Sequence, residues 1–213
     1  MQEETGRPVP AGSETGRVEA FSDGVFAIAI TLLVLDLKVP REIADGHLAE
    51  ELLHLWPSYM AFLASFLTIG VMWINHHRLF TLIRRCDHTL LILNGLLLLG
   101  VTVVPFPTGL VAGFLGRPDA RIAAMVYNGT FVLLAVFFNV LWRHASHNNR
   151  LFDPGADREA IRGITRQYMF GPVYYLAACL LALISVPASL GFNILLAFFF
   201  ALPGVHLHGR RPG

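Results

Sequence analysis

The fold is decided by the stretch Arg17-Val-Glu-Ala-Phe21-Ser22-Asp23-Gly24, which runs directly into Val25-Phe-Ala-Ile-Ala-Ile-Thr-Leu-Leu-Val-Leu35-Asp36. Asp23 and Asp36 are 13 residues apart, which corresponds to ~20 Å along a helix. The hydrocarbon core of a bilayer is ~30 Å thick, so a membrane helix over this stretch holds at least one carboxylate at or near membrane depth. Because an unpaired charge is costly there, that acid is expected to face protein or water.

The composition is that of an integral membrane protein. The chain has 213 residues, of which 54% are hydrophobic and 15% are charged, whereas a soluble domain carries about 25% charged residues. Three regions are predicted: a disordered polar tail (1–16), one transmembrane domain (17–204) and a C-terminal tail (205–213). The formal net charge of +1 gives no indication of a nucleic-acid partner, and no secondary structure other than α-helix is expected.

The apolar runs predict six transmembrane helices. Pro105 and Pro107 interrupt the third run, so that helix either kinks or ends there. The predicted spans are 18–38, 58–82, 89–114, 120–142, 167–186 and 190–202.

The basic residues predict the orientation of these spans. Six spans place both termini on one side, and that side carries twelve of the 16 arginines and lysines. The other side carries only four: Lys38, Arg41, Arg117 and Arg121. The positive-inside rule therefore assigns both termini to the cytoplasm.

One face of the first helix has two possible uses. Ile28, Leu32 and Leu35 recur at helical spacing with Thr31 beside them. Packing against another helix would account for this face. Alternatively, it lines a pore, with branched aliphatic side chains that gate by dewetting, the Thr31 hydroxyl facing a partly dehydrated cation and Asp36 at the outer mouth.

Asp23 also has two interpretations. Ser22 and Asp23 are typical of a helix start, where they satisfy free N–H groups. In the other interpretation, Asp23 pairs with the polar end of the second span, Trp73-Ile-Asn75-His76-His77, because antiparallel helices bring the two to one depth. The second interpretation predicts a buried network of Asp23, Arg17, His77 and Asn75.

No catalytic or metal site is predicted. Adjacent residues on a helix point ~100° apart, so His76 and His77 are poorly placed to ligate one ion. Cys86 and Cys179 match neither a metal spacing nor a disulfide framework. Nucleophile-elbow, phosphate-loop and metalloprotease signatures are absent from the sequence.

Two motifs resemble those of a known family. Arg17-x-x-x-Phe21-Ser22-Asp23 before an apolar helix is similar to the signature of the transmembrane protein 175 family of lysosomal and endosomal potassium channels. Trp73-x-Asn75-x-His77 in the second span also resembles the family pattern. The likeness is clear over the first two spans and in the six-span layout.

The resemblance implies a prokaryotic member that forms a homotetramer around a central pore lined by the first helix. In this family the narrow constriction corresponds to Ile28, with further apolar rings at Leu32 and Leu35 and a hydroxyl layer linked with selectivity at Thr31. The Phe-Ser-Asp residues and their partners on the second helix hold the pore helix and do not contact the ion. The family lacks the Thr-Val-Gly-Tyr-Gly filter of ordinary potassium channels, as does this chain.

The function predicted from these observations is passive K⁺ flow across the inner membrane of a bacterium, with no cofactor and with self, lipid and monovalent cations as partners. A proton-permeable channel or proton-coupled transporter, with Asp23 and His77 as a relay, is an alternative. A membrane enzyme that uses Asp23 and the histidines is a further one, and it requires a pocket within one subunit.

Overall fold

The computed structural model describes residues 11–40, 47–153 and 155–202. Within those residues the chain is helical, with nine α-helices and two short 3₁₀ turns, Leu33–Asp36 and His147–Asn149. The helices are α1 (Ala11–Leu32), α2 (Leu48–His54), α3 (Trp56–Leu82), α4 (His88–Val103), α5 (Pro105–Phe114), α6 (Ala120–Ser146), α7 (Arg158–Met169), α8 (Gly171–Leu181) and α9 (Val186–Ala201).

The first helix packs on α3 and α4 through one narrow face. Ser22, Phe26, Ala29 and Leu33 are buried along that face, and they recur every three or four residues, as one side of a helix requires. α1 begins at Ala11, earlier than the sequence analysis expected; the rest of the predicted tail, 1–10, and the C-terminal tail lie outside the described residues.

Four helical segments of the described chain are long and apolar enough to cross a membrane: Glu14–Asp36, Trp56–Leu82, His88–Phe114 and Ala120–Asn149. They correspond to the first four predicted spans. The fifth and sixth predicted spans are shorter helices, α8 with 11 residues and α9 with 16, whereas a perpendicular crossing takes about 20 residues. The protein is thus an all-α, multi-pass membrane protein.

Pro105 separates α4 from α5, as the two prolines of the third span predicted. α4 ends at Val103, and Val104 keeps helical dihedral angles (φ −53°, ψ −37°) before α5 begins at Pro105. Proline lacks the N–H of a continuous helix and clashes with the preceding turn. The break lets α5 pack against α3, α6 and the 3₁₀ turn that follows α1.

Two elements were not predicted. The polar loop 39–55 contains α2, whose Leu-Ala-Glu-Glu-Leu-Leu-His sequence consists largely of strong helix formers. The basic segment 143–166 contains most of α7, which begins where the Asp157 carboxylate accepts a hydrogen bond from the Glu159 N–H at 2.8 Å. Apolar runs do not predict α7, because α7 is amphipathic.

Buried polar side chains join the helices in the membrane region. The Ser65 hydroxyl lies 2.7 Å from the Thr108 hydroxyl and 3.2 Å from that of Tyr127, which links α3, α5 and α6. Asn128 donates to Ser189, and Ser189 donates to the Ala178 carbonyl at 2.7 Å, which links α6, α9 and α8. Between helices in lipid, such bonds replace the hydrophobic driving force that water provides elsewhere.

A second polar cluster lies at the end of the bundle that the arginine count assigns to the cytoplasm. The Asp87 carboxylate accepts hydrogen bonds from the Leu90 N–H at 2.8 Å, from His144 Nε2 at 2.9 Å and from Arg150 at 3.2 Å. It therefore caps α4 and ties that helix to α6 and to the following loop.

Candidate pore helix and its anchors

The predicted pore residues lie on the outer side of α1. In a single chain Ile28 is 59% exposed, Leu32 is 42% exposed and Leu35 is 71% exposed. The 3₁₀ turn after α1 keeps Leu35 at the surface while it buries Leu33. Hence one chain leaves this face of α1 uncovered, as expected for a helix that faces a pore, a second subunit or lipid.

Thr31 lies on the same exposed face. Its hydroxyl is within hydrogen-bond distance of two carbonyl oxygens of its own helix, those of Ala27 at 3.0 Å and Ile28 at 2.9 Å. The single hydroxyl proton is therefore directed at the backbone, and the oxygen lone pairs remain available. An oxygen held in this way presents partial negative charge outward, which suits a cation.

Asp36 is partly buried at the end of the 3₁₀ turn and is directed at α5. Its Oδ1 lies 2.8 Å from the position that a Cβ atom would take at Gly109, so the glycine leaves room for the carboxylate to approach α5 closely. Its Oδ2 is buried and accepts no hydrogen bond from any described residue. The carboxylate thus packs against α5, away from the face that carries Ile28.

Two acid-containing pairs connect α1 to α3. The Trp73 indole N–H donates to Asp23 Oδ1 at 2.8 Å. One helical turn earlier, His77 Nδ1 donates to Glu19 Oε1 at 2.6 Å. Asp23 thus faces the polar end of α3, as predicted. Glu19 was not predicted, although it lies four residues before Asp23 and therefore on the same side of α1.

A directional hydrogen-bond chain lies deeper between α1, α3 and α4. His76 Nε2 donates to Asn94 Oδ1 at 2.9 Å, Asn94 Nδ2 donates to Ser22 Oγ at 2.9 Å, and Ser22 donates to the Val18 carbonyl at 2.8 Å. Since an amide oxygen only accepts, the direction of each bond is fixed. Asn94 was also missed, although an asparagine inside an apolar run is a recognisable signal.

The predicted single network of Asp23, Arg17, His77 and Asn75 does not form. Asn75 faces the other side of α3, where it donates to the Phe200 carbonyl at 3.0 Å and accepts from the Tyr168 hydroxyl at 3.0 Å. Arg17 is exposed, and Phe21 is 68% exposed. The motif residues therefore separate into four groups: pairs between α1 and α3, a buried chain to α4, outward side chains on α1, and Asn75, which contacts the last helices.

The cavity inside the bundle is small, and the described residues form no metal cluster. A mainly apolar cavity of about 50 Å³ lies beside Asn75 and Tyr168, whereas pockets for small molecules are ~300–1,000 Å³. Among the described residues, no three His, Cys, Asp or Glu side chains meet in a metal-binding arrangement.

The chain is similar to a family model and to several known proteins. The family model for the endosomal/lysosomal potassium channel TMEM175 matches residues 17–105, which hold both motifs. A potassium channel of Chamaesiphon minutus is 56% identical over 195 residues, which are 91% of this chain and 96% of that protein. A potassium channel of Streptomyces collinus is 45% identical over 93% of this chain and 97% of that protein.

A solved structure and an animal relative extend the comparison. The crystal structure of a lysosomal potassium-selective channel TMEM175 homolog from Chamaesiphon minutus has a TM-score of 0.83 at 54% identity, covering 90% of this chain and 98% of that one. The human endosomal/lysosomal proton channel TMEM175 is 35% identical over 61% of this chain and 27% of its own length. The chain belongs to the TMEM175 family, which consists of ion channels and not of enzymes.

Proposed function

We propose that four copies of this chain surround a central pore and that K⁺ flows through it passively. The observation that carries this proposal is the 56% identity, over nearly the whole chain, to a potassium channel of Chamaesiphon minutus. The geometry supports it, because the apolar face of α1 with Ile28, Leu32 and Leu35 is uncovered in one chain. In a homotetramer the four copies of this face meet around the axis.

Ile28 forms the main constriction, and Leu32 and Leu35 extend it. An aliphatic ring offers no oxygen to replace the hydration shell of an ion, so passage costs the ion part of its shell. K⁺ holds its water less tightly than Na⁺ and is penalised less. The ring therefore favours K⁺ weakly, and it closes by dewetting when it narrows.

Thr31 and Asp36 modify this barrier. The Thr31 oxygen, with its proton directed at the helix backbone, offers one acceptor per subunit to a partly dehydrated cation. Asp36 follows Leu35 directly; its carboxylate packs against α5, so it acts on the outer mouth only through its negative potential, part of which Lys38 offsets. Neither residue needs a cofactor, since K⁺ itself is the only ligand.

The motif residues hold the pore helix in position. Asp23 and Trp73 fix α1 against α3, and Ser22 fixes it against α4. His77 contributes through Glu19, and Asn75 secures α3 to the last helices. Arg17 and Phe21, which project outward, are left to contact neighbouring subunits.

Six crossings complete the subunit, with α8 and α9 as the short fifth and sixth ones. α8 begins at Gly171, directly after Phe170 at the end of α7, so the chain re-enters the membrane from the basic side. Both termini then lie in the cytoplasm, and the location is the inner membrane of a bacterium.

A flux assay on the purified protein in liposomes tests the pore assignment. Ile28→Asn replaces the aliphatic ring with amides and is expected to raise K⁺ flux, because the dewetting barrier falls. Thr31→Ala is expected to reduce the preference for K⁺ over Na⁺. Rb⁺ and Cs⁺, which shed water still more easily, are expected to pass the wild type at least as well as K⁺.

Matched substitutions on other helices provide the controls. Ile122 in α6 is 63% exposed, so Ile122→Asn makes the same exchange at a similar exposure away from α1. Thr102 in α4 is exposed and also donates to the carbonyl three residues earlier, at 2.8 Å, so Thr102→Ala matches Thr31→Ala. Equal effects of variant and control, or a strict preference for Na⁺, would contradict the pore assignment.

Proton permeation is the second candidate, because the human, chicken, bovine, mouse and rat relatives are named proton channels. The chain from His76 through Asn94 to Ser22 ends at a backbone carbonyl, and an amide does not exchange protons readily. A relay would therefore use Asp23. Asp23→Asn distinguishes a proton relay from a structural role. If Asp23 relays protons, the variant loses proton flux while K⁺ flux persists. If Asp23 is structural, the variant assembles or expresses poorly.

A further inference from the structure

The amphipathic helix α7 has an apolar side that packs on the bundle and a basic side that is exposed. Ile164 and Tyr168 are buried against the bundle, and the Trp142 indole N–H donates to the Thr165 hydroxyl at 2.9 Å. The opposite side of α7 carries three exposed arginines, each four residues after the one before, so that they are ~6 Å apart along the helix. They are Arg158, Arg162 and Arg166.

Two of these arginines line a pocket. Arg158 and Arg162, together with Asn149 and Ile161, line an open recess of about 360 Å³ between the start of α7 and the 3₁₀ turn that follows α6. The Arg162 Nε–H donates to the Arg158 carbonyl at 3.3 Å, which holds this guanidinium beside the pocket. Its two terminal nitrogens remain available to a ligand.

The pocket is positively charged and lacks a neutralising carboxylate. Among the described residues, no acidic side chain lies within salt-bridge distance of Arg158 or Arg162. Asp157 and Glu159 are next to Arg158 in sequence but do not line the pocket, and Asp157 is occupied by the Glu159 N–H. Planar guanidinium groups bind phosphate oxygens in pairs.

The position of the pocket favours a lipid over a soluble anion. Asn149 is the last residue of the Ala120–Asn149 membrane segment, so the pocket opens where that segment ends. Met169 and Phe170, at the other end of α7, are both exposed and provide an apolar surface before α8 re-enters the membrane. Polybasic segments at this level attract the anionic lipids of the cytoplasmic leaflet.

We propose that the pocket formed by Asn149, Arg158, Ile161 and Arg162 binds the phosphate of an anionic phospholipid, with Arg158 and Arg162 as the phosphate ligands. The lipid chains then lie along the exposed apolar end of α7. The site is separate from the pore, and it does not depend on which ion the channel conducts.

Native mass spectrometry of the full-length protein in detergent tests this site. Dioleoylphosphatidylglycerol is the probe, and dioleoylphosphatidylcholine and glycerol 1-phosphate are the comparison ligands. Wild type is expected to bind phosphatidylglycerol most tightly. Arg158→Gln/Arg162→Gln is expected to weaken that binding about 30-fold, which corresponds to roughly fivefold for each arginine near an anionic surface.

Arg84→Gln/Arg85→Gln is the matched control, because both side chains are exposed at the same end of the bundle and do not line the pocket. It is expected to keep wild-type binding. Arg158→Lys/Arg162→Lys retains the charge and is expected to bind several-fold more weakly than wild type, since lysine lacks the planar fork.

Three results would overturn the proposal. Equal losses in the two glutamine pairs would indicate a diffuse surface charge. Equal binding of phosphatidylcholine would remove the role of the negative headgroup, and equal binding of glycerol 1-phosphate would make this a site for soluble anions.

Discussion

Single side chains on α3 hold α1 in place. Trp73 and His77 each donate to a different acid on α1, Asp23 and Glu19, and both pairs are partly open at the surface of one chain. Exposed pairs of this kind contribute only ~0–1 kcal/mol each. Their main effect is therefore to fix the rotation of α1, which decides the direction of its uncovered face.

Trp73→Phe removes the indole N–H that Asp23 accepts and retains the apolar bulk of the side chain. We expect a loss of about 1 kcal/mol of stability, since the bond is to a charged group but is partly solvated. The midpoint of thermal unfolding in detergent measures this loss. Trp56→Phe is the control, because Trp56 is exposed at the start of α3 and donates no side-chain hydrogen bond within the described chain. Equal shifts of the unfolding midpoint for both variants would contradict the role of the hydrogen bond to Asp23.

Asp87 makes stability depend on pH. Partial desolvation raises the pKa of its carboxyl, but hydrogen bonds from the Leu90 N–H and His144, together with the charge of Arg150, outweigh this and hold the pKa below its ordinary value of 3.8. A carboxyl whose pKa is lowered by folding stabilises the protein above its unfolded pKa, and this contribution is lost as pH falls through the folded pKa.

We therefore expect wild type to lose stability below about pH 4 more steeply than Asp87→Asn, which keeps the helix cap but does not titrate. Thermal unfolding between pH 3 and pH 7 measures the difference. Parallel curves for the two proteins would show that the charge of Asp87 contributes nothing.

At the level of helices, close packing of α4 on α6 depends on Gly100. A Cβ atom at Gly100 would lie 2.7 Å from Leu134 Cδ2, whereas one at Gly95 in the same helix would meet nothing within 4 Å. Small residues of this kind let membrane helices approach closely.

Gly100→Val is expected to destabilise the protein by ~1–3 kcal/mol through overpacking. Gly95→Val makes the same change in helix propensity in open space, so the difference between the two unfolding midpoints isolates the packing effect. A similar unfolding midpoint for both variants would mean that α4 and α6 can move apart with little loss of stability.

The positions of the long apolar helices could be predicted from the sequence more accurately than the side-chain contacts between them. The break at Pro105 and the uncovered Ile28 face follow from local chemistry and helical spacing. The partners of Asn75 depend on the rotational orientation of α3 about its own axis, between α1 and the last helices. The local sequence pattern does not predict that orientation. α7 was not predicted because its arginines lower the mean hydropathy of the segment, although the side of the helix that faces the bundle is apolar.

For the whole molecule, the proposed pore requires more than one chain. Because α1 leaves its apolar face uncovered, we expect purified protein to have four times the chain mass of 23.5 kDa. Native mass spectrometry in detergent measures this. A monomer that still conducts K⁺ in liposomes would contradict a pore between subunits.

The close contact between Asp36 and Gly109 couples the choice of residue at two distant positions. A Cβ atom at residue 109 would lie 2.8 Å from Asp36 Oδ1, so a side chain there would require the carboxylate to shift. A redesign that places a larger residue at position 109 therefore calls for a shorter side chain at position 36. In such work the 3₁₀ turn after α1 and the middle of α5 are designed together, as one unit.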